Sequence, residues 1–284
     1  MVPVEFWEWA IPQVKAKYPA LLFIAEVYNP KEYGNYLFRG KFDYLYDKVG
    51  LYDTLRAIVC GNESATAITR AWQSLGGIEK RMLNFLENHD EQRIASDFFA
   101  SNPRKAIPAL IVSACMNVNP MMIYFGQEFG ELGMDSEGFS GRDGRTTIFD
   151  YWSVDTIRRW RNGGKFDGKM LTENQKHLYS VYQRILTLCN EEKAIAQGDF
   201  FDLMYANTNG WRFNEHKQYA FLRKFKRVRT GFIAVCRELR PYIGRPCNQY
   251  SFPCFRFSAN TADGPVQSYG AAQRKRRKHK SASL

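Results

Sequence analysis

Apolar residues along this chain come in short runs that end abruptly in polar groups. Leu21-Leu22-Phe23-Ile24-Ala25 leads into Glu26, and Met82, Leu83, Phe85 and Leu86 lead into Asn88-His89-Asp90. Such runs predict buried strands, here over 21–27 and 82–86, that deliver polar side chains at their ends. Phe42–Asp47 alternates with period two and predicts another strand, and Met121–Phe125 a fourth. Between them the spacing lengthens to three and four. Residues 3–17 carry Val4, Trp7, Ile11 and Val14 at helical intervals, with Pro3 suited to a first turn. Pro12 predicts a kink or a late start. Residues 51–58, 65–75 and 103–117 predict three more helices, the last with Ala106, Leu110 and Ala114 on one face. Thr172-Glu173-Asn174-Gln175 reads as a capping box, opening a helix striped by Leu178, Val181, Tyr182, Ile185, Leu188 and Cys189. Past Gly198, Phe200–Tyr205, Trp211–Phe213 and Tyr219–Phe225 read as short strands.

Strands alternating with helices predict an α/β fold built on a parallel sheet with crossover helices. In barrels of this kind the chemistry sits where the strands end. Two strands that each end in an acid therefore predict a carboxylate pair across a shared cleft. The glycine- and acid-rich segment 126–144 reads as a long loop on that side.

Composition changes the picture in one place. Net charge is +11, but from Phe221 onward there are 15 Lys+Arg against 2 Asp+Glu, leaving 25 against 27 in the first 220 residues. The basic character belongs to the tail, so it is no nucleic-acid footprint of the whole chain. From about Arg227 the periodicity stops. The tail is open to three readings: out-of-frame sequence, a solvated basic linker, or a localisation or nucleic-acid patch. Cys60, Cys115 and Cys189 are scattered over predicted helices and form no metal-ligand spacing. They read as small buried hydrophobes, and lean toward a reducing, cytoplasmic compartment. No run of apolar residues is long enough to span a membrane, and no leader is visible at Met1.

The segments FIAEVY, FLENHD and Asn119–Glu128, in this order, resemble three signature stretches of the alpha-amylase family, glycoside hydrolase family 13. The resemblance covers about residues 1 to 225 and implies a partial (β/α)8 TIM barrel, strands five to eight, followed by a short, incomplete antiparallel domain. Its division would be 1–197 barrel, 198–226 start of the β domain and 227–284 irregular basic tail. It implies a retaining enzyme on alpha-1,4-glucans such as starch, with Glu26 as acid/base and His89 and Asp90 holding the sugar and stabilising the transition state. Glu26, at the end of an apolar strand, is expected to be desolvated, which favours a proton donor. Tyr28 would stack on a sugar, and Arg93 would keep a carboxylate ionised beside the substrate.

The family's nucleophile lies in a Gly-x-Arg-x-Asp segment at strand four, and that segment is not present. The chain thus resembles a fragment, expected to be inactive alone. No metal is expected, because the family's calcium site draws mainly on the missing part. Open barrel edges would invite self-association. A glucan branching enzyme or other transferase of the same family, and a non-catalytic carbohydrate-binding relative, are the alternatives. Neither a nucleic-acid nor a membrane partner is expected.

Overall fold

The computed structural model describes residues 2–136, 139, 141–150, 152, 154–207 and 213–225, and the backbone of 231–236. The predicted first helix forms as α1, Val4–Lys17, and continues past Pro12. Pro12 lies on the exposed face, so the carbonyl it leaves without a donor meets water. Strand β1 follows at Ile24–Ala25, β2 at Tyr44–Tyr46 and β3 at Met82–Leu83. They pair in parallel in the order β1-β2-β3. Between β2 and β3 lie α2, Asp53–Val59, and α3, Ala67–Gln73.

The strands are shorter than the apolar runs suggest. The fourth is reduced to one parallel bridge, Asn84 to Met121, with Asn84 N–H donating to the Pro120 carbonyl at 3.0 Å and Met122 N–H to the Asn84 carbonyl at 2.8 Å. The first run is not buried on both faces. Leu22, Ile24, Glu26 and Tyr28 face solvent, while Ala25 and Val27 face the core. A strand with one neighbour and one covered face shows this period of two. The far edge of β1 carries no strand among the described residues.

Helix α4, Ile107–Cys115, is buried on every side rather than along the single face expected. Nine consecutive residues without a charge can sit in this way at the centre of a core. Asn84 anchors the bridge to it, its side-chain amide donating to the Ser113 carbonyl at 2.9 Å. Helix α5, Asp155–Arg161, is an element the periodicity does not predict. Helix α6, Glu173–Glu191, is the one drawn from its capping box: the Thr172 hydroxyl accepts from Gln175 N–H at 3.3 Å, and the Gln175 side chain accepts from Thr172 N–H at 2.9 Å. Leu178, Val181, Tyr182 and Ile185 bury the predicted stripe.

After α7, Lys193–Gln197, the chain forms an antiparallel sheet of β4, Asp199–Asp202, β5, Tyr219–Lys224, and β6, Gly231–Cys236. β6 lies in the stretch expected to be irregular. The run Gly231-Phe-Ile-Ala-Val-Cys has strand composition, masked in sequence by the arginines around it. Expected strand 211–213 falls largely outside the described residues, as does the chain from 237 onward. Asp202 fastens this sheet to α3. One carboxylate oxygen accepts from Thr69 at 2.7 Å, the Trp72 indole at 3.0 Å and the Tyr219 hydroxyl at 2.8 Å. One core joins α2, α4 and α6 to the antiparallel sheet, from Leu55 and Leu110 to Tyr219 and Phe221, and a second packs α1 against β1–β3 through Ile11, Ala25, Leu45 and Met82.

Candidate active site

Glu26 is the first residue past β1, and His89 and Asp90 stand on the turn that follows β3 and the Asn84 bridge. Chain direction in a parallel sheet puts both at the same end. Side-chain ligating atoms of Glu26, His89 and Asp90 all lie within 4.8 Å of one another. His89 Nε2 is 3.6 Å from an Asp90 oxygen. Among the described residues this is the one such grouping of three. It could hold a divalent cation or the hydroxyls of a sugar.

The turn that presents His89 and Asp90 is fixed from below. Asn88 is fully buried, and its side-chain oxygen accepts from Asp90 N–H and Glu91 N–H, each at 2.9 Å. Glu91 is neutralised by Lys48 at 3.1 Å and Arg56 at 3.1 Å, and accepts from the Tyr52 hydroxyl at 3.0 Å. Glu91 is thus held by these cations, while the Asp90 carboxylate faces His89.

Tyr28 donates its hydroxyl to Glu26, and 42% of its surface is exposed on the open face. Burial first, then that hydrogen bond and the charges of Glu26, Asp90 and Glu91, raise the Tyr28 phenol and keep it protonated. Tyr46, on β2 between the two acids, is raised by burial and then by the same Glu26 and Asp90 charges. Tyr46 and Lys48 are site neighbours the motifs do not signal. Their cue was the alternation of β2, which puts Tyr44 and Tyr46 on one face.

Two expectations need correction. Glu26 is exposed, not desolvated at a strand end, because the face of β1 that carries it is uncovered. Arg93 does not line the cleft. Its side chain is 0% exposed and its Nη1 pairs with Glu87 at 2.8 Å. Nε donates to Thr146 at 3.0 Å and Nη2 to the Phe125 carbonyl at 2.9 Å. The guanidinium also lies 4.5 Å from the Tyr124 ring centre. Glu87 completes the lock, accepting from Ile94 N–H at 2.7 Å. Burial pushes its carboxyl up, and Arg93 pulls it back. The carboxylate that Arg93 pairs with is therefore Glu87, beneath the turn.

No family model matches the sequence, and no curated protein matches it. Solved structures do match. A noncanonic maltogenic alpha-amylase, AmyB from Thermotoga neapolitana, aligns with TM-score 0.55 and 17% identity over 84% of this chain and 46% of its own. An alpha-amylase from Geobacillus thermoleovorans, complexed with acarbose, gives 0.52 and 18% over 82% and 45%. A gamma-CGTase from Alkalophilic bacillus clarkii gives 0.59 and 15% over 91% and 33%. The chain spans about half or less of the structures it matches. In fold, this chain is similar to part of these alpha-amylase and CGTase structures.

Proposed function

We propose that the chain is part of a retaining alpha-amylase-type glycoside hydrolase acting on alpha-1,4-glucans. The observation that carries this reading is the convergence of Glu26, His89 and Asp90 within 4.8 Å at one end of the parallel sheet. Retaining cleavage uses carboxyl groups about 5–5.5 Å apart, whereas inversion leaves a water-sized gap of about 6.5–9.5 Å. That separation is measured between the acid/base and the attacking group, and of these two roles only the acid/base, Glu26, belongs to this grouping. In this reading Glu26 protonates the leaving oxygen and then takes a proton from water. Asp90 and His89 bind sugar hydroxyls, in bonds that tighten as positive charge grows on the ring. Tyr28 holds the Glu26 carboxyl in place and offers its ring to a neighbouring sugar. A metal is no part of this scheme. The attacking carboxylate is not among the residues gathered here, so the chain by itself binds glucan without cleaving it. Transfer to another glucan, as in a branching enzyme, is the alternative outcome of the same chemistry. The fold match to a gamma-CGTase supports keeping it.

Acarbose binding measured by calorimetry tests the site. Asp90→Asn and His89→Ala should each weaken it by about tenfold, the loss of one charge-assisted hydrogen bond. Equal binding by all three chains would overturn the assignment. Release of reducing sugar from soluble starch by the purified chain would overturn the need for an outside nucleophile.

A further inference from the structure

Two cysteines far apart in sequence meet in space. Cys115 ends α4 and Cys189 lies in the last turn of α6, with their sulfurs 3.7 Å apart. Cys115 is fully buried and Cys189 half-buried. Cys189 also donates to the Ala114 carbonyl at 3.4 Å. Beside them lies Arg223 of β5, fully buried. Its guanidinium donates to the carbonyls of Met116, Ile195 and Gly198 at 2.8 Å each and of Ala194 at 3.3 Å. These acceptors are neutral. Burial draws the Arg223 guanidinium down to about 10, and the thiols Cys115 and Cys189, with Asp199, oppose that. A buried cation held by neutral groups favours an anion nearby.

Cys189 responds. Its thiol is lowered, first by the hydrogen bond with Cys115 and then, against burial, by Arg223. Cys60, half-buried after α2, is the contrast: burial pushes its thiol up, though Arg56 and Lys105 pull against it.

We propose that Cys115 and Cys189 are a peroxide-sensitive thiol pair that closes into a disulfide between α4 and α6. The Cys189 thiolate attacks one oxygen of hydrogen peroxide. The O–O bond breaks, hydroxide leaves, and Cys189 becomes a sulfenic acid. Cys115 sulfur then attacks Cys189 sulfur. The S–O bond breaks, the thiol proton joins the departing hydroxide as water, and the S–S bond forms. Two thiols and one peroxide give one disulfide and two waters. The sulfurs must close from 3.7 Å to about 2.0 Å, a side-chain rotation at two helix ends. A peroxide suits the site because it is small enough to reach a half-buried sulfur. The disulfide would tie the centre of the core to the helix that carries the capping box.

The test uses the full chain. At neutral pH, iodoacetamide should label Cys189 faster than Cys60, because the thiolate is the reacting form and the two thiols are shifted in opposite directions. Peroxide treatment, blocking and digestion should yield a peptide pair joined through Cys115 and Cys189, released by dithiothreitol. In Cys115→Ser, the Cys189 sulfenic acid should persist and be captured by dimedone. Equal labelling of Cys60 and Cys189 overturns the proposal. So does a peroxide product joined through any other cysteine, or no joined product at all.

Discussion

Arg93→Met would show what holds the candidate site together. The native pair places opposite charges 2.8 Å apart with side-chain exposures of 0% and 1%. At an effective dielectric of 20 their attraction is about 6 kcal/mol before desolvation is subtracted. Replacing Arg93 removes that attraction and the bonds to Thr146 and the Phe125 carbonyl, and leaves Glu87 buried with one backbone donor, Ile94. Breaking one side of such a pair destabilises by about 3–5 kcal/mol. For a chain of this size that lowers the thermal midpoint by roughly 10 °C. The sign of the pH dependence follows from Glu87. Its carboxyl is already raised by burial, and losing Arg93 raises it further. A raised folded-state carboxyl binds a proton that the unfolded chain has released, so stability falls as pH rises through that window. The deficit of Arg93→Met should therefore be larger at pH 8 than at pH 5. Glu87→Gln combined with Arg93→Met should recover more than half of it, because no charge is then left unpaired. Urea and thermal melts followed by circular dichroism measure all three chains. A loss below about 1 kcal/mol that does not change with pH would refute the reasoning.

Asp47 gives a second pH-dependent prediction. Burial lifts its carboxyl to about 6, against hydrogen bonds from Leu51 and Gly50 N–H. Stability should therefore decline as pH rises from about 4 to 6. Asp47→Asn, which keeps the acceptor for Leu51 N–H, should flatten that part of the profile in melts run across the range. Thr172→Ala removes the oxygen that caps α6 and should cost about 1 kcal/mol, read as a lower thermal midpoint.

Much of the site was legible because it depends on chain direction. Parallel strands bring their ends to one rim, so Glu26 and Asp90 meet although they stand 64 positions apart in sequence. Helix α6 was legible because its cap and stripe are local. What stayed hidden depends on neighbours. Arg93 has the same formula in a cleft or under a turn, and the partner that decides, Glu87, stands six residues back at no regular spacing. Helix α4 reads as one-faced until the elements on its far side are placed. Strand extent depends on pairing geometry, which trimmed the run before Glu26 to two paired residues. Cys115 and Cys189 carry no shared motif and meet through helix packing alone.

The Asp202 clasp has an optical consequence. Trp72 gives its indole N–H to that carboxylate across the seam between α3 and the antiparallel sheet. An indole so bound emits differently once water replaces its acceptor. With the other tryptophans changed to phenylalanine, Trp72 would be a native lamp on the seam. Its colour would tell whether the two layers part before, or together with, the rest of the chain.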